Sequence, residues 1–443
     1  MSEPGFEEAG EEPQPLERRH VVAAVIGNAL EFYDFTTYAF FSISIGHAFF
    51  PVLGEFANLM LSLSVFFAGF LMRPVGGLVI GRYGDRVGRR PAMLLSFTLT
   101  GAAIVAMALI PPYAAIGWPA PALALVARSV QGFALGGEVG PATAYLFEAA
   151  PLHHRGLYAS WQSASQSIAQ LAGGAVGFVL AHVLDAGTLD AYGWRIAFLI
   201  GGLTLPFGYY IRRRLPETLH APEHAPAHAP LEEGVSVFRT HWRPIAFGLM
   251  VFLSGTVATY SLNYLTTFAQ RTLHMVVTTS FAATLVLGLA GIVSALFGGW
   301  LCDRIGRKPV MIWPRVVFLF AIWPLFYLIV REHDARALLF GSAALSLLAN
   351  FASAAVYVAL SEGLPRAIRS RGFSVIYSTS IAIFGGSTQL IETWLIQVTG
   401  SAMAPAWYLT AATAIGVLGI ILIAETAPAK RGLSVAQAGS AST

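Results

Sequence analysis

Gly81-Arg82-Tyr83-Gly84-Asp85-Arg86-Val87-Gly88-Arg89-Arg90-Pro91 recurs about half a chain length later as Gly299-Trp300-Leu301-Cys302-Asp303-Arg304-Ile305-Gly306-Arg307-Lys308-Pro309. Each stretch lies between two long apolar runs, so each reads as a short polar turn joining hydrophobic segments. Gly88 and Gly306 permit a tight turn, and an aspartate beside it accepts hydrogen bonds from arginines or from a helix N-terminus. A second echo pairs Glu148-Ala149-Ala150-Pro151, followed by Arg155-Gly156, with Glu362-Gly363-Leu364-Pro365, followed by Arg371-Gly372. Two echoes at nearly one offset indicate a duplicated unit.

What flanks these turns sets the solvent of the fold. Of 443 residues only 12% are charged and 56% are hydrophobic, with a mean hydropathy of +0.64. Soluble domains carry about 25% charged residues. A water-facing surface cannot be covered with so few charges, which excludes a soluble enzyme, a nucleic-acid binder and a disordered scaffold. The single cysteine, Cys302, excludes an internal disulfide, and no Cys/His cluster has zinc-ligand spacing. The first twenty residues hold six glutamates and read as a solvated tail rather than a signal peptide.

Apolar runs long enough to cross a bilayer as helices occur twelve times: 21–45, 57–80, 91–110, 120–147, 156–184, 194–212, 244–268, 279–301, 309–330, 336–361, 372–398 and 404–424. The expected fold is an all-α membrane protein of two six-helix halves. Its units are a tail at 1–20, a first half at 21–212, a linker at 213–243, a second half at 244–424 and a tail at 425–443. With both termini cytoplasmic, twenty of the 27 Lys and Arg residues fall on the inner side and four on the outer. That bias predicts the orientation. The linker carries His220, His224 and His228 in a proline-rich tract that cannot form a continuous helix, so it reads as solvated chain.

The paired Gly-x-x-x-Asp-Arg-x-Gly-Arg-Arg/Lys turns resemble the loop motif of the major facilitator superfamily. Within it, Gly27-Asn28-Ala29-Leu30-Glu31-Phe32-Tyr33-Asp34-Phe35 and Arg128-Ser129-Val130-Gln131-Gly132-Phe133 are similar to the metabolite:proton symporters. Ser160-Trp161-Gln162-Ser163-Ala164-Ser165-Gln166, and Ala382-Ile383-Phe384-Gly385-Gly386 with Thr388, resemble bacterial citrate–proton symporters more narrowly. The resemblance implies the major facilitator fold and proton-coupled uptake of a metabolite. Gln389, Glu392 and Arg315 depart from the citrate-like pattern, where neutral residues are expected.

Ionisable groups inside a bilayer are functional candidates by default, because burying them is costly. Seven fall within the runs: Glu31, Asp34, Arg73, Arg128, Glu138, Arg315 and Glu392. Asn28, Glu31, Asp34 and Tyr38 share one face of span one. Asp34, near the centre of that span, is either a proton-loading carboxylate or a permanent partner of Arg128, with Glu138 and Glu31 as further proton candidates. Arg128, whose planar fork could hold a ligand carboxylate or Asp34, and Gln131 face one way on span four, opposite a small-residue face of Gly132, Gly136 and Gly140 that admits a close helix neighbour. Gln162, Ser165 and Gln166 on span five, Tyr260, Asn263 and Tyr264 on span seven, and Tyr377, Gln389 and Glu392 on span eleven complete the candidate ligand surface. Arg73 reads as structural, near the inner leaflet.

The turn residues Gly81, Asp85, Arg86, Gly88, Arg89, Arg90, Asp303, Arg304, Gly306 and Arg307, with Glu148 and Glu362, read as a cytoplasmic charge latch. The functional expectation is a non-enzymatic carrier that moves a small organic anion of the di- or tricarboxylate class inward with protons by alternating access. The alternative is uptake of a zwitterionic osmolyte or a shikimate-like acid. No metal and no cofactor are expected; the coupling ion is H+, with Na+ the other possibility. The partners are ligand, protons and lipid bilayer, without nucleic acid, and one chain is the functional unit.

Overall fold

The computed structural model describes residues 18–51, 54–136, 154–203, 242–363, 369–423 and 425, and the statements below concern those. Seven of their helices are long and apolar enough to cross a membrane. They are spans two (Glu55–Val87), five (Arg155–Val183), seven (Trp242–Arg271), eight (Val277–Ile305), nine (Arg307–Glu332), ten (Ala335–Phe351 with Ser353–Gly363) and twelve (Ala404–Leu422). Spans one (Arg18–Phe40 with Ser42–Phe49), three (Arg89–Leu109), four (Pro119–Gly136), six (Trp194–Leu203) and eleven (Arg369–Ser380 with Gly386–Thr399) complete the twelve-helix fold of two six-helix halves. Glu138, Gly140, Glu148, residues 1–17 of the first tail, residues 213–241 of the linker and residues 426–443 of the last tail lie outside the described residues, as do the side chains of Glu31, Asp85, Arg89 and Arg90.

The duplication is visible in the backbone. Gly88 and Gly306 each stand immediately before the next span with φ of 121° and 103°. Those values suit a residue without a Cβ, and they end one helix and start another within a single residue. Span four lays Gly132 and Gly136 directly on the backbone of Gly69 and Arg73 in span two, where any side chain would collide. With no hydrophobic drive between helices in lipid, such close backbone approach supplies the packing.

The halves meet along a seam between spans five and eight. Gly156 and Ser160 touch Gly299, Ser167 touches Gly291, Leu171 touches Gly288, and Gly174 touches Thr284. The seam thus runs from the Asp303 turn almost to the opposite end. Three spans interrupt their helices along their length. Span one breaks at Phe41, span ten at Ala352, and span eleven widens into a π-turn at Ile381–Gly385. Such interruptions tend to mark functional positions.

Candidate functional site

Spans one, two and four build the most deeply buried charge cluster. Asp34 and Arg128 are each 1% exposed, and Arg128 Nη1 donates to Asp34 Oδ2 at 2.8 Å. The same nitrogen donates to Gln131, one turn along its own helix. The Arg128 guanidinium lies over Phe35 at 4.1 Å and Tyr38 at 4.5 Å, close enough for cation–π attraction. Arg73 lies over Phe35 as well, at 4.3 Å, and over Phe70 at 4.3 Å. Span two therefore carries Arg73 into the aromatic core rather than to a leaflet edge. Phe35 has a guanidinium over its ring from each of two helices.

This cluster touches the second half. Tyr260 of span seven meets Phe70 edge-on at 5.4 Å, and Gly386 of span eleven packs on Phe67 and Phe70. Asp34 Oδ1 and Arg128 Nε and Nη2 have no hydrogen-bond partner among the described residues. The ion pair is single-stranded, so each partner keeps capacity for a proton or another group.

Next to the cluster, the halves line a half-open cavity of about 60 Å³. Ser163 and Gln166 of span five face Thr256 and Tyr260 of span seven, Arg315 of span nine, Asn350 and Tyr357 of span ten, and Tyr377 of span eleven. The Tyr357 hydroxyl is tied to Ser163 and Gln166, linking the halves across the cavity.

The polar face of span five thus divides. Gln166 and Ser163 reach the cavity, whereas Ser165 and Gln162 bond Asn28 of span one at 2.6 and 3.2 Å. Gln170 donates to Asn263 across the halves, and Tyr38 donates to the Ser62 carbonyl at 2.9 Å. Tyr264 accepts from Thr393 at 2.9 Å, and Glu392, fully buried, accepts from Ser261 at 2.5 Å. Gln389 is fully buried with neither amide atom partnered among the described residues. Of the sequence candidates, Tyr260, Gln166 and Tyr377 line the cavity, while Asn28, Gln162, Ser165, Asn263 and Tyr264 are spent on helix contacts. Asn350 and Tyr357 carried no sequence signal, because span ten reads as mostly apolar with scattered serines and no charge beyond its first residue. Arg315 stood out as an intramembrane charge, but nothing in its spacing pointed to the cavity.

At the end bearing the paired turns, the second copy forms a cluster of charge-assisted contacts. The Asp303 carboxylate accepts from the backbone N–H of Gly156 at 2.8 Å and Leu157 at 2.9 Å, at the N-terminus of span five. Arg307 donates to Asp303 at 2.7 Å, and Glu362 stands 3.5 Å from Arg155 and 3.7 Å from Arg307. Arg304 points away, over the Trp300 ring at 4.1 Å. In the first copy Arg86 is exposed. At the opposite end a crevice of about 450 Å³ opens between the halves, lined by His47, Glu55, Asp190 and Arg271 among others. Beneath it Ser42 bonds Thr267 at 3.1 Å and Phe41 packs on Phe281. There the Asp190 carboxylate, 3.0 Å from Nδ1 of His47, raises the pKa of that imidazole above its ordinary value.

Comparison with known proteins agrees with this architecture. Residues 24–313 match the Major Facilitator Superfamily and residues 231–439 the family described as sugar (and other) transporters. The chain is 36% identical to the citrate-proton symporter of Klebsiella pneumoniae over 90% of either chain. It is 30% identical to the ectoine/proline transporter of Corynebacterium glutamicum, over 92% of this chain and 84% of that one. The crystal structure of a D-xylose-proton symporter superposes with a TM-score of 0.72 at 20% identity, covering 94% of this chain and 99% of the other. The chain belongs to the major facilitator superfamily and is a multi-pass membrane transporter, not an enzyme.

Proposed function

We propose that the protein is a proton-coupled symporter that carries a small organic anion of the di- or tricarboxylate class, citrate-like in chemistry, into the cell by alternating access. The observation that carries this reading is the fully buried Asp34–Arg128 ion pair, set in an aromatic box that touches both halves. Protonating Asp34 cancels its charge and turns a charge-assisted hydrogen bond into a weaker neutral one. The Arg128 contact then loosens, and the packing that leans on it through Phe35 and Tyr38 is released. Losing the proton restores the pair. The carboxylate thus couples one proton to the relation between the halves 21–212 and 244–424.

In this reading the cavity between Gln166, Tyr260 and Tyr377 takes the ligand. The Asp303–Arg307–Glu362 latch seals the cytoplasmic end, with both termini on that side of the plasma membrane. Kinship to a citrate-proton symporter supports the anion; kinship to an ectoine/proline transporter supports a zwitterion as the second reading. Uptake of labelled citrate into proteoliposomes with an acid-outside gradient tests the proposal. Accumulation should collapse with a protonophore, and Asp34→Asn should retain exchange while losing accumulation. Undiminished uphill uptake in either case would overturn the coupling.

A further inference from the structure

We propose that Arg315 is the anion anchor of the central cavity: a carboxylate of the transported ligand docks on its guanidinium, with the Tyr377 hydroxyl as a neighbouring donor. The inference rests on the organic-anion reading above and assigns the group that recognises the charge.

Arg315 lies two turns into span nine, is 2% exposed, and lines the cavity between the halves. Its Nε and Nη1 have no hydrogen-bond partner among the described residues, and none of the residues lining the cavity is acidic. Phe318, the aromatic ring beneath it, is 5.8 Å away, at the edge of useful cation–π range. The Tyr377 hydroxyl, in a side chain 3% exposed, lines the same cavity with Gln162 of span five beside it.

A desolvated guanidinium without a counter-charge is strongly unfavourable, and arginine cannot escape by losing its proton. A cation retained under those conditions is accounted for when a transient anion neutralises it, and its planar fork matches a carboxylate. Arg128 also has two nitrogens unpartnered among the described residues, but a carboxylate already meets its charge. Its Nη1 serves Asp34 and Gln131, and its faces are covered by Phe35 and Tyr38. Of these two guanidiniums, the one without a counter-charge among the described residues is therefore in the second half.

The geometry leaves room for one. Span seven presents Gly255 to the guanidinium, and a Cβ added there would come 3.9 Å from Nη2. The 60 Å³ of the cavity suits a carboxylate head or a water or two rather than a whole tricarboxylate. The rest of the ligand would enter as the halves part.

Citrate binding to the purified full-length protein, with succinate and glycine betaine as further probes, tests this by calorimetric titration. Arg315→Gln should weaken citrate by about 10- to 100-fold, the worth of a charge-assisted contact, and Arg315→Lys should recover part of the loss. If the wild type binds citrate and a folded Arg315→Gln binds it within twofold, the inference fails alone and the proposed function stands. If the wild type binds only glycine betaine, the organic-anion function fails; the anchor then stands only if Arg315→Gln weakens betaine by a similar factor. Binding of none of the three by the wild type overturns both. Should Arg315→Gln not fold, Gly255→Val keeps the charge while filling the space beside it. That variant must weaken citrate at least tenfold for the anchor to survive.

Discussion

The two halves treat their buried charges in opposite ways. In the first, Asp34 and Arg128 close on each other at 2.8 Å, so that neither is an isolated charge. In the second, Arg315 and Glu392 are equally hidden from solvent, yet neither meets an opposite charge among the described residues. Glu392 is held by Ser261 alone, and Arg315 faces the cavity. The duplicated scaffold is common to both, so the difference belongs to side-chain placement and not to fold. On the proposed function it divides the labour: the paired charges wait for a proton, and the unpaired cation waits for a ligand.

The largest effect should come from breaking the pair. Arg128→Gln strands a buried carboxylate and should cost about 3–5 kcal/mol of unfolding free energy. Asp34→Asn combined with Arg128→Gln should lose much less than the two single variants added together, measured by thermal unfolding in detergent with a double-mutant cycle. Additive losses would mean that the charges do not depend on each other. Arg315→Gln sharpens the contrast. It removes a buried cation that has no partner to strand, so its melting temperature should equal or exceed the wild-type value, by about 1–4 °C. A drop as deep as that of Arg128→Gln would show that Arg315 is paired after all.

That contrast explains what was legible in the sequence. The twelve spans, the duplication, and the glycine face of span four all follow from local pattern, because hydropathy, turn geometry and helix periodicity are local properties. Gly88 and Gly306 share their unusual φ because the same turn is written twice. Pairing is not local. Asp34 and Arg128 are 94 residues apart in the chain, and Arg128 reads the same whether it holds Asp34 or a ligand. Successive glutamines at 162 and 166 are rotated by only part of a turn, yet one meets span one and the other the cavity. The crossing of neighbouring helices decides that, and a single helix does not encode it. The break at Phe41 was equally silent, since neither proline nor glycine stands there.

The two copies of the polar turn give a smaller, separable comparison. In the second copy Asp303 collects two backbone N–H groups and Arg307, and Cys302 is buried directly behind it against Gly156. As the chain's single cysteine, Cys302 reports on the proposed latch without any engineering. Asp303→Asn weakens three charge-assisted bonds and should raise the rate of maleimide alkylation of Cys302 by about tenfold. Asp85→Asn in the first copy should raise it less, because Cys302 lies behind the second. An unchanged rate in Asp303→Asn would remove Asp303 from the latch.

The smallest effect is expected where a pair is closed but wet. His47 and Asp190 meet at 3.0 Å with side chains 40% and 43% exposed, so water screens their attraction. Because the carboxylate raises the imidazole pKa in the folded state, the stabilisation is fully present below the unfolded value of about 6.5. It fades as pH climbs through the raised folded value. Melting temperature should therefore fall by about 1–2 °C from pH 6 to pH 8 in the wild type beyond any fall seen in His47→Gln. Parallel curves for the two proteins would place the pair among surface contacts that contribute nothing measurable. A clear difference would tie the strength of the closed contact, here as at Asp34, to one proton, weakened this time by the solvent at the crevice.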